Sequence, residues 1–264
     1  MRLQINALLD YQLNAPADLL LALEVAQTPD QRLIEDRLVT TGTEPLVPVT
    51  GEDGIGRRTW TRAAGRVTAQ YHAIVEVDRA PAAIATLPAD PLPRLPAEVT
   101  RYLWPSRYCD ADRLEPYVRR RFADLDGGAK VHAIAQWVGR EIAYVPGATS
   151  TATTAGDSFM RREGVCRDFA HVLIAMVRAA DIPARMVGAY APGVDPPDFH
   201  AVAEVWLAGG WHLIDATGMA AADSIVRIGV GRDATDISFL TIFGSAWLIE
   251  QRVSVEIMPS SPRA

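Results

Sequence analysis

Three short segments carry residue types that could do covalent chemistry together. The first is Gly164-Val165-Cys166-Arg167-Asp168-Phe169-Ala170-His171. Phe169, Ala170, Leu173, Met176, Val177 and Ala180 form an apolar stripe at helical spacing, which places Cys166 at the N-terminus of a helix buried on one face. Free backbone N–H groups and the positive end of a helix dipole favour a thiolate there; Arg167 adds to the effect and Asp168 opposes it. The second segment is His200-Ala201-Val202-Ala203-Glu204-Val205-Trp206, in which the histidine opens a strand after a loop holding Pro192, Gly193, Pro196 and Pro197. The third is Trp211-His212-Leu213-Ile214-Asp215-Ala216-Thr217, a short strand ending in an aspartate. A Gly209-Gly210 turn would pair it with the His200 strand and set His200 and Asp215 at one sheet edge, with a register offset that a bulge or bend absorbs. Singly, each has a plain structural use: a small core hydrophobe, a histidine satisfied by a carbonyl, a turn or cap residue. Together they make a nucleophile, a base and an orienting acid.

At these residues the chain resembles the bacterial branch of the transglutaminase-like superfamily. The resemblance lies in Gly164 to His171, in His200-Ala201, and in Trp211 to Thr217, in the order Cys, His, Asp. Pro105-Ser106-Arg107-Tyr108, Ile142-Ala143-Tyr144 and Gly231-Arg232-Asp233 extend it over nearly the whole chain. It implies an α+β fold: a papain-like catalytic core with a Cys166–His200–Asp215 triad, preceded by an antiparallel β-sandwich. The Cys166 N–H would be one oxyanion donor, with Tyr144 a candidate for the second. Departures occur at Val202, where an aromatic is frequent, and at Ala216, where proline is frequent; both bear on substrate preference. The implied chemistry is attack of Cys166 on an amide carbonyl, giving a thioester that water or an amine resolves. Hydrolysis of a peptide or protein amide is preferred here, with protein-glutamine transglutamination as the alternative. A binding or assembly module on the same fold, without turnover, is the reading from another class.

Other candidates are set aside. His171 and His212 read as packing residues and Cys109 as a structural thiol. No metal is expected, because Cys-x-x-Cys, His-x-x-x-His and His-Glu-x-x-His spacings are missing and Asp195 and Asp198 do not form a calcium loop. No cofactor is expected either. Trp206 and Trp211 are candidates for aromatic cleft walls, with Val202 leaving the wall more open. Lys130 is the only lysine, which argues against self-crosslinking as a purpose.

The elements that must position these residues follow from the patterning. Residues 1–80 read as β, most clearly where Val67, Ala69, Tyr71, Ala73, Val75 and Val77 alternate. Residues 81–96 hold Pro81, Pro88, Pro91, Pro93 and Pro96 and read as a semi-rigid linker. Residues 97–264 read as the catalytic domain: helices at Asp112 to Phe122 and Asp126 to Ile142, a Gly/Thr/Ser-rich loop from Pro146 to Gly156, the Cys166 helix, then strands. The length of 264 residues, with 49% hydrophobic and 22% charged, is globular composition and excludes disorder, collagen and a disulfide scaffold. The net charge of −6 gives no long-range pull toward nucleic acid or an anionic membrane. No secretory leader pattern opens the chain, and two cysteines suit free thiols, so a cytoplasmic protein is expected. An amide-mimicking electrophile followed by peptide mapping should label Cys166, and Cys166→Ala should abolish the labelling while Cys109→Ala leaves it. Equal labelling of both thiols in the folded protein would remove any special activation of Cys166.

Overall fold

The structure is a computed structural model, and it describes residues 1–259. Five strands come first: β1 (Arg2–Leu13), β2 (Ala17–Leu21), β3 (Gln31–Thr43), β4 (Val47–Thr50) and β5 (Arg57–Val77). A mixed stretch follows with α1 (Ala97–Thr100), α2 (Ala111–Arg121), α3 (Gly127–Glu141), β6 (Ala143–Tyr144), α4 (Ala155–Arg161), β7 (Glu163–Gly164) and α5 (Cys166–Arg178). The last part holds β8 (Ala184–Tyr190), β9 (His200–Leu207), β10 (Gly210–Ile214), β11 (Val226–Gly231), α6 (Ala234–Ile237), β12 (Leu240–Phe243) and β13 (Ala246–Ile257). The fold is α+β, with large antiparallel sheets.

The first sheet is organised around β5. Its first part, up to Ala63, pairs with β2 and β4, and its second part, from Arg66, pairs with β1 and most of β3. β12 and β13 extend the β2 and β1 sides. The chain turns at one level in all four rows, near Asn14–Pro16, Gly42, Gly65 and Gly244. Gly42 and Gly65 have φ of +74 and +70, and a Cβ on Gly42 would lie 2.3 Å from the Arg66 carbonyl oxygen. At that level β5 changes partners, and Leu9, Leu19, Leu21, Thr61, Val67 and Leu240 line one pocket there.

The alternation seen in β5 has its cause here. Ala73, Val75, Leu3 and Ile5 point to one face and are buried against Tyr190, Phe199, Val226 and Ile228 of the second sheet's region. Of these, Val75, Leu3 and Ile5 each contribute about 1.5–3 kcal/mol. The second sheet has the order β10-β9-β8-β11 and is antiparallel throughout. Helix α5 packs on it, surrounded by α2, α3 and α4, and every residue from Asp168 to Arg178 is buried. A helix apolar on nearly all sides belongs in such a position.

Two features depart from the segment boundaries expected from the sequence. Residues 240–257 return to the first sheet, so seven strands are drawn from both chain ends and the N-terminal layer is not built from residues 1–80 alone. Nothing in local periodicity distinguishes a strand that pairs nearby from one that crosses to a distant sheet. Residues 81–96, expected as a semi-rigid linker, are also packed: Ile84 and Leu87 lie on the helical core, and Leu87 O accepts the Gly128 N–H at 2.8 Å. Helix α4 and strands β4, β11 and β12, which the patterning did not resolve, are too short to show a clear period.

A buried ion network joins the halves. Glu204 in β9 is 0% exposed and accepts from Arg185 Nε at 2.8 Å and Arg227 Nε at 2.7 Å. Arg185 reaches Asp53 at 2.8 Å and Arg227 reaches Asp30 at 2.9 Å, both carboxylates belonging to the N-terminal half. Removing one member of a buried pair strands its partners' charges, which costs about 3–5 kcal/mol. Glu204→Ala should therefore lower unfolding stability by roughly that much in chemical denaturation, and a loss under 1 kcal/mol would show that Asp53 and Asp30 suffice to hold the two arginines.

Candidate active site

Cys166 is the first residue of α5 and is half-buried, as the apolar stripe that follows it requires. The approach to it is set by a two-residue parallel ladder in which Tyr144 faces Gly164 and Val145 N–H donates to Gly164 O at 2.9 Å. Glycine is needed at 164: a Cβ would come within 2.6 Å of the Asp168 Cβ. Asp168 is 1% exposed, and its carboxylate accepts from the Val165 N–H at 2.9 Å, the Thr149 hydroxyl at 2.6 Å and Arg167 at 3.1 Å. Its charge is thus shared out among capping and loop contacts rather than directed at the thiol.

His200 and Asp215 meet through the β9–β10 hairpin. The turn is Ala208-Gly209, with φ of +50 and +77, one residue earlier than the glycine pair suggested. Leu207 pairs with Gly210 and Ala203 with Ile214, so the ladder carried one step further sets Val202 opposite Asp215. His200 is then the diagonal neighbour of Asp215 on the same face, within reach of a long side chain and with no bulge required. Nε2 of His200 lies 2.9 Å from Asp215 Oδ2, with the side chains 0% and 2% exposed. Asp215 also accepts from the Thr217 N–H and hydroxyl, at 2.9 and 2.6 Å, and from Ala220 N–H at 2.9 Å. Thr217 is a contributor that the sequence reading left out of the site, although Asp-x-Thr is a pattern of local side-chain-to-backbone turns.

With Nε2 committed to Asp215, Nδ1 remains; it is buried and has no hydrogen-bond partner. Cys166 is close enough to act on the imidazole. Burial disfavours the charged ring, but the bond to Asp215 and the nearness of Cys166 outweigh it and lift His200 to about 9. Burial likewise pushes the Asp215 carboxyl upward, and its bonds to His200 and Thr217 bring it below the ordinary value. Tyr144 stands beside the backbone N–H and sulfur of Cys166, and burial followed by the Cys166 charge pushes its hydroxyl up to about 12. Tyr144, Cys166, His200 and Asp215 therefore come together in one place. The arrangement can hold a thiolate beside an imidazolium and offer an N–H and an O–H to a developing oxyanion.

The remaining candidates lie elsewhere. Cys109 is 0% exposed and pushed by burial up to about 12. His171 is buried, accepts the Ala234 N–H at 3.1 Å and stacks on Tyr108. His212 Nε2 lies 3.0 Å from the Leu207 carbonyl oxygen. Among the described residues no three His, Cys, Asp or Glu side chains gather as a metal cluster. Trp206 and Trp211 pack on each other at the hairpin end of β9, about 20 Å along the strand from His200. They cannot wall this cleft. Val202 is 1% exposed in an apolar cluster with Val187, Ala189 and Leu213, so it does not open the cleft either.

The geometry has counterparts among known proteins. The family model of the transglutaminase-like superfamily matches residues 108–216, a span that contains Tyr144, Cys166, His200 and Asp215. The crystal structure of a candidate cysteine protease from Cytophaga hutchinsonii superposes with a TM-score of 0.93 at 30% identity, over 99% of this chain and 92% of that one. An uncharacterised Mycobacterium leprae protein is 30% identical over 165 residues, 59% of each chain. An uncharacterised Mycobacterium tuberculosis protein is 30% identical over 136 residues. The chain spans 59% and 43% of the lengths of these two curated relatives.

The raised His200 value makes a directional prediction. The imidazolium contributes stability that is fully present below pH 6.5, the ring's ordinary value, and is lost as pH rises through about 9. NMR titration of the ring should show this, and Cys166→Ala and Asp215→Asn should each lower the value, because each removes a partner that raises it. Asp215→Asn should also cut Cys166-dependent turnover by about 10⁴, as when the orienting carboxylate of a triad becomes an amide. An unshifted His200 in both variants would sink the coupling.

Proposed function

The chain belongs to the transglutaminase-like superfamily, and from that premise we propose that it is a cysteine-dependent hydrolase of peptide or protein amides. The observation that carries the reading is the buried His200–Asp215 bond set beside a half-exposed Cys166 at a helix N-terminus. Cys166 Sγ, as the thiolate, attacks the carbonyl carbon, and the Cys166 N–H and Tyr144 O–H receive the oxyanion. The C–N bond breaks as His200 gives its proton to the leaving amine, and a thioester remains. Neutral His200 then takes a proton from water, the hydroxide adds to the thioester, and the acid leaves as Cys166 returns to the thiolate with His200 protonated. Asp215 keeps Nδ1 turned to the sulfur and stabilises the imidazolium at both steps.

The competing reading is acyl transfer, in which an amine takes the place of water. Water is present at about 55 M, so transfer prevails only in a site that excludes water and binds the amine. The two tryptophans that could have excluded it lie at the far end of β9, which favours hydrolysis. A non-catalytic module on this fold would have no use for a charged imidazole held against a thiol. Among the described residues no helix is long and apolar enough to cross a membrane; free Cys109 and Cys166 fit a cytoplasmic setting. Partitioning tests the choice: with a turnover substrate in the presence and absence of a primary amine, the acid product should dominate. Amide product in excess at millimolar amine would replace hydrolysis with transglutamination.

A further inference from the structure

We propose that Asp198 is a specificity-determining carboxylate of this cleft, and that the substrate carries an ammonium or guanidinium group beside the amide that Cys166 attacks. The substrate half of the inference rests on the hydrolase reading above.

Asp198 stands two residues before His200, on the exposed approach to β9. Its Oδ1 accepts from the Phe199 N–H at 2.7 Å and from Gln251 Nε2 at 2.6 Å. These bonds fix the carboxylate's direction and leave Oδ2 without a described partner. Among the described residues no arginine, lysine or histidine forms an ion pair with it. Its charge adds to the effect of burial in raising the hydroxyl of Tyr144, which adjoins Cys166, and that of Tyr11 in β1. The cation beside the nucleophile, Arg167, is already engaged by Asp168 at 3.1 Å, the Thr149 hydroxyl at 3.1 Å and Ser150 O at 3.0 Å. Asp195, exposed in the same loop, has the same sign as Asp198 and likewise no described ion pair.

An anchored, unneutralised carboxylate at the mouth of a reactive site attracts and orients a cation and repels an anion. The adjacent groups give it no local relief, because the His200 imidazolium is already matched by Asp215 and Cys166 brings no positive charge. The anchor also explains a contribution of the N-terminal sheet: Gln251 lies on β13, so the sheet that lacks all three reactive residues still aims the carboxylate that would choose the substrate.

The test uses the intact protein and needs no known substrate. Cys166 is modified with two methanethiosulfonates of similar size, one bearing a trimethylammonium and one a sulfonate, and each rate is divided by its rate on free cysteine. Buried Cys109 is checked for reaction in Cys166→Ala. The cationic reagent should be favoured by about 3-fold or more at low salt, the effect of one charge several ångströms away in hydrated surroundings. The preference should shrink in Asp198→Asn, which retains the Oδ1 acceptor, and in high salt. Asp112→Asn, the same charge change at an exposed site on α2, should leave it in place. A preference unchanged in Asp198→Asn, or one for the anion, overturns the assignment. A second arm compares turnover of peptides carrying lysine, norleucine or glutamate beside the scissile amide, with lysine expected to be fastest. Equal turnover of all three overturns the substrate class and leaves hydrolysis standing. No turnover of any, with the reagent preference intact, overturns hydrolysis and leaves the cation selectivity of Asp198 standing.

Discussion

Between His200 Nε2 and Asp215 Oδ2 runs a 2.9 Å bond with almost no solvent access. In water such a contact would be weak, but here neither group can exchange its partner for solvent, and the imidazolium gains more from Asp215 and Cys166 than it loses to burial. The bond also selects a nitrogen. Nε2 is occupied, so any proton exchanged with Cys166 must use Nδ1. The Thr217 and Ala220 contacts to Asp215 serve the same end, since a carboxylate with four described donors has little freedom to rotate away.

The rest of the C-terminal half can be understood as holding Cys166 beside that bond. Helix α5 must begin at one point, and its far end is held as firmly as its start. Arg178 is 3% exposed and donates to the carbonyls of Trp104, Ala184 and Arg232 and to the Ser106 hydroxyl. Asp233 accepts the Tyr108 N–H at 2.9 Å, and Tyr108 stacks on His171. The Pro105–Tyr108 and Gly231–Asp233 segments, far apart in sequence, thus converge behind helix α5. Their role is to close backbone hydrogen bonds that would otherwise be buried and unmet.

The two sheets share one core, and this constrains how the N-terminal half relates to the site. Tyr190 of the second sheet donates its hydroxyl to Leu23 O at 2.8 Å, while Tyr71 accepts the Val25 N–H at 2.9 Å. Glu204 and its arginines add a charged tie whose members would each be costly to leave alone. Displacement of one layer would therefore disturb β9 itself, the strand that begins with His200.

Much of this was legible in the residues. The stripe after Cys166 requires a buried helix starting there, the alternation along β5 requires a half-buried strand, and Asp126 caps α3 through its bond to the Gly127 N–H at 2.7 Å. These are local consequences of periodicity and of unsatisfied helix ends, so neighbouring residues suffice to determine them. The family motif likewise set Cys166, His200 and Asp215 apart from Cys109, His171 and His212. Other properties were decided only in three dimensions. That Val202 is buried, that Trp206 and Trp211 sit at the wrong end of β9, that β12 and β13 complete the first sheet, and that Gln251 anchors Asp198 all depend on register or on pairing across long separations. A period of two says that a side chain alternates between faces; which neighbour covers that face depends on strands from elsewhere in the chain, which that period does not specify.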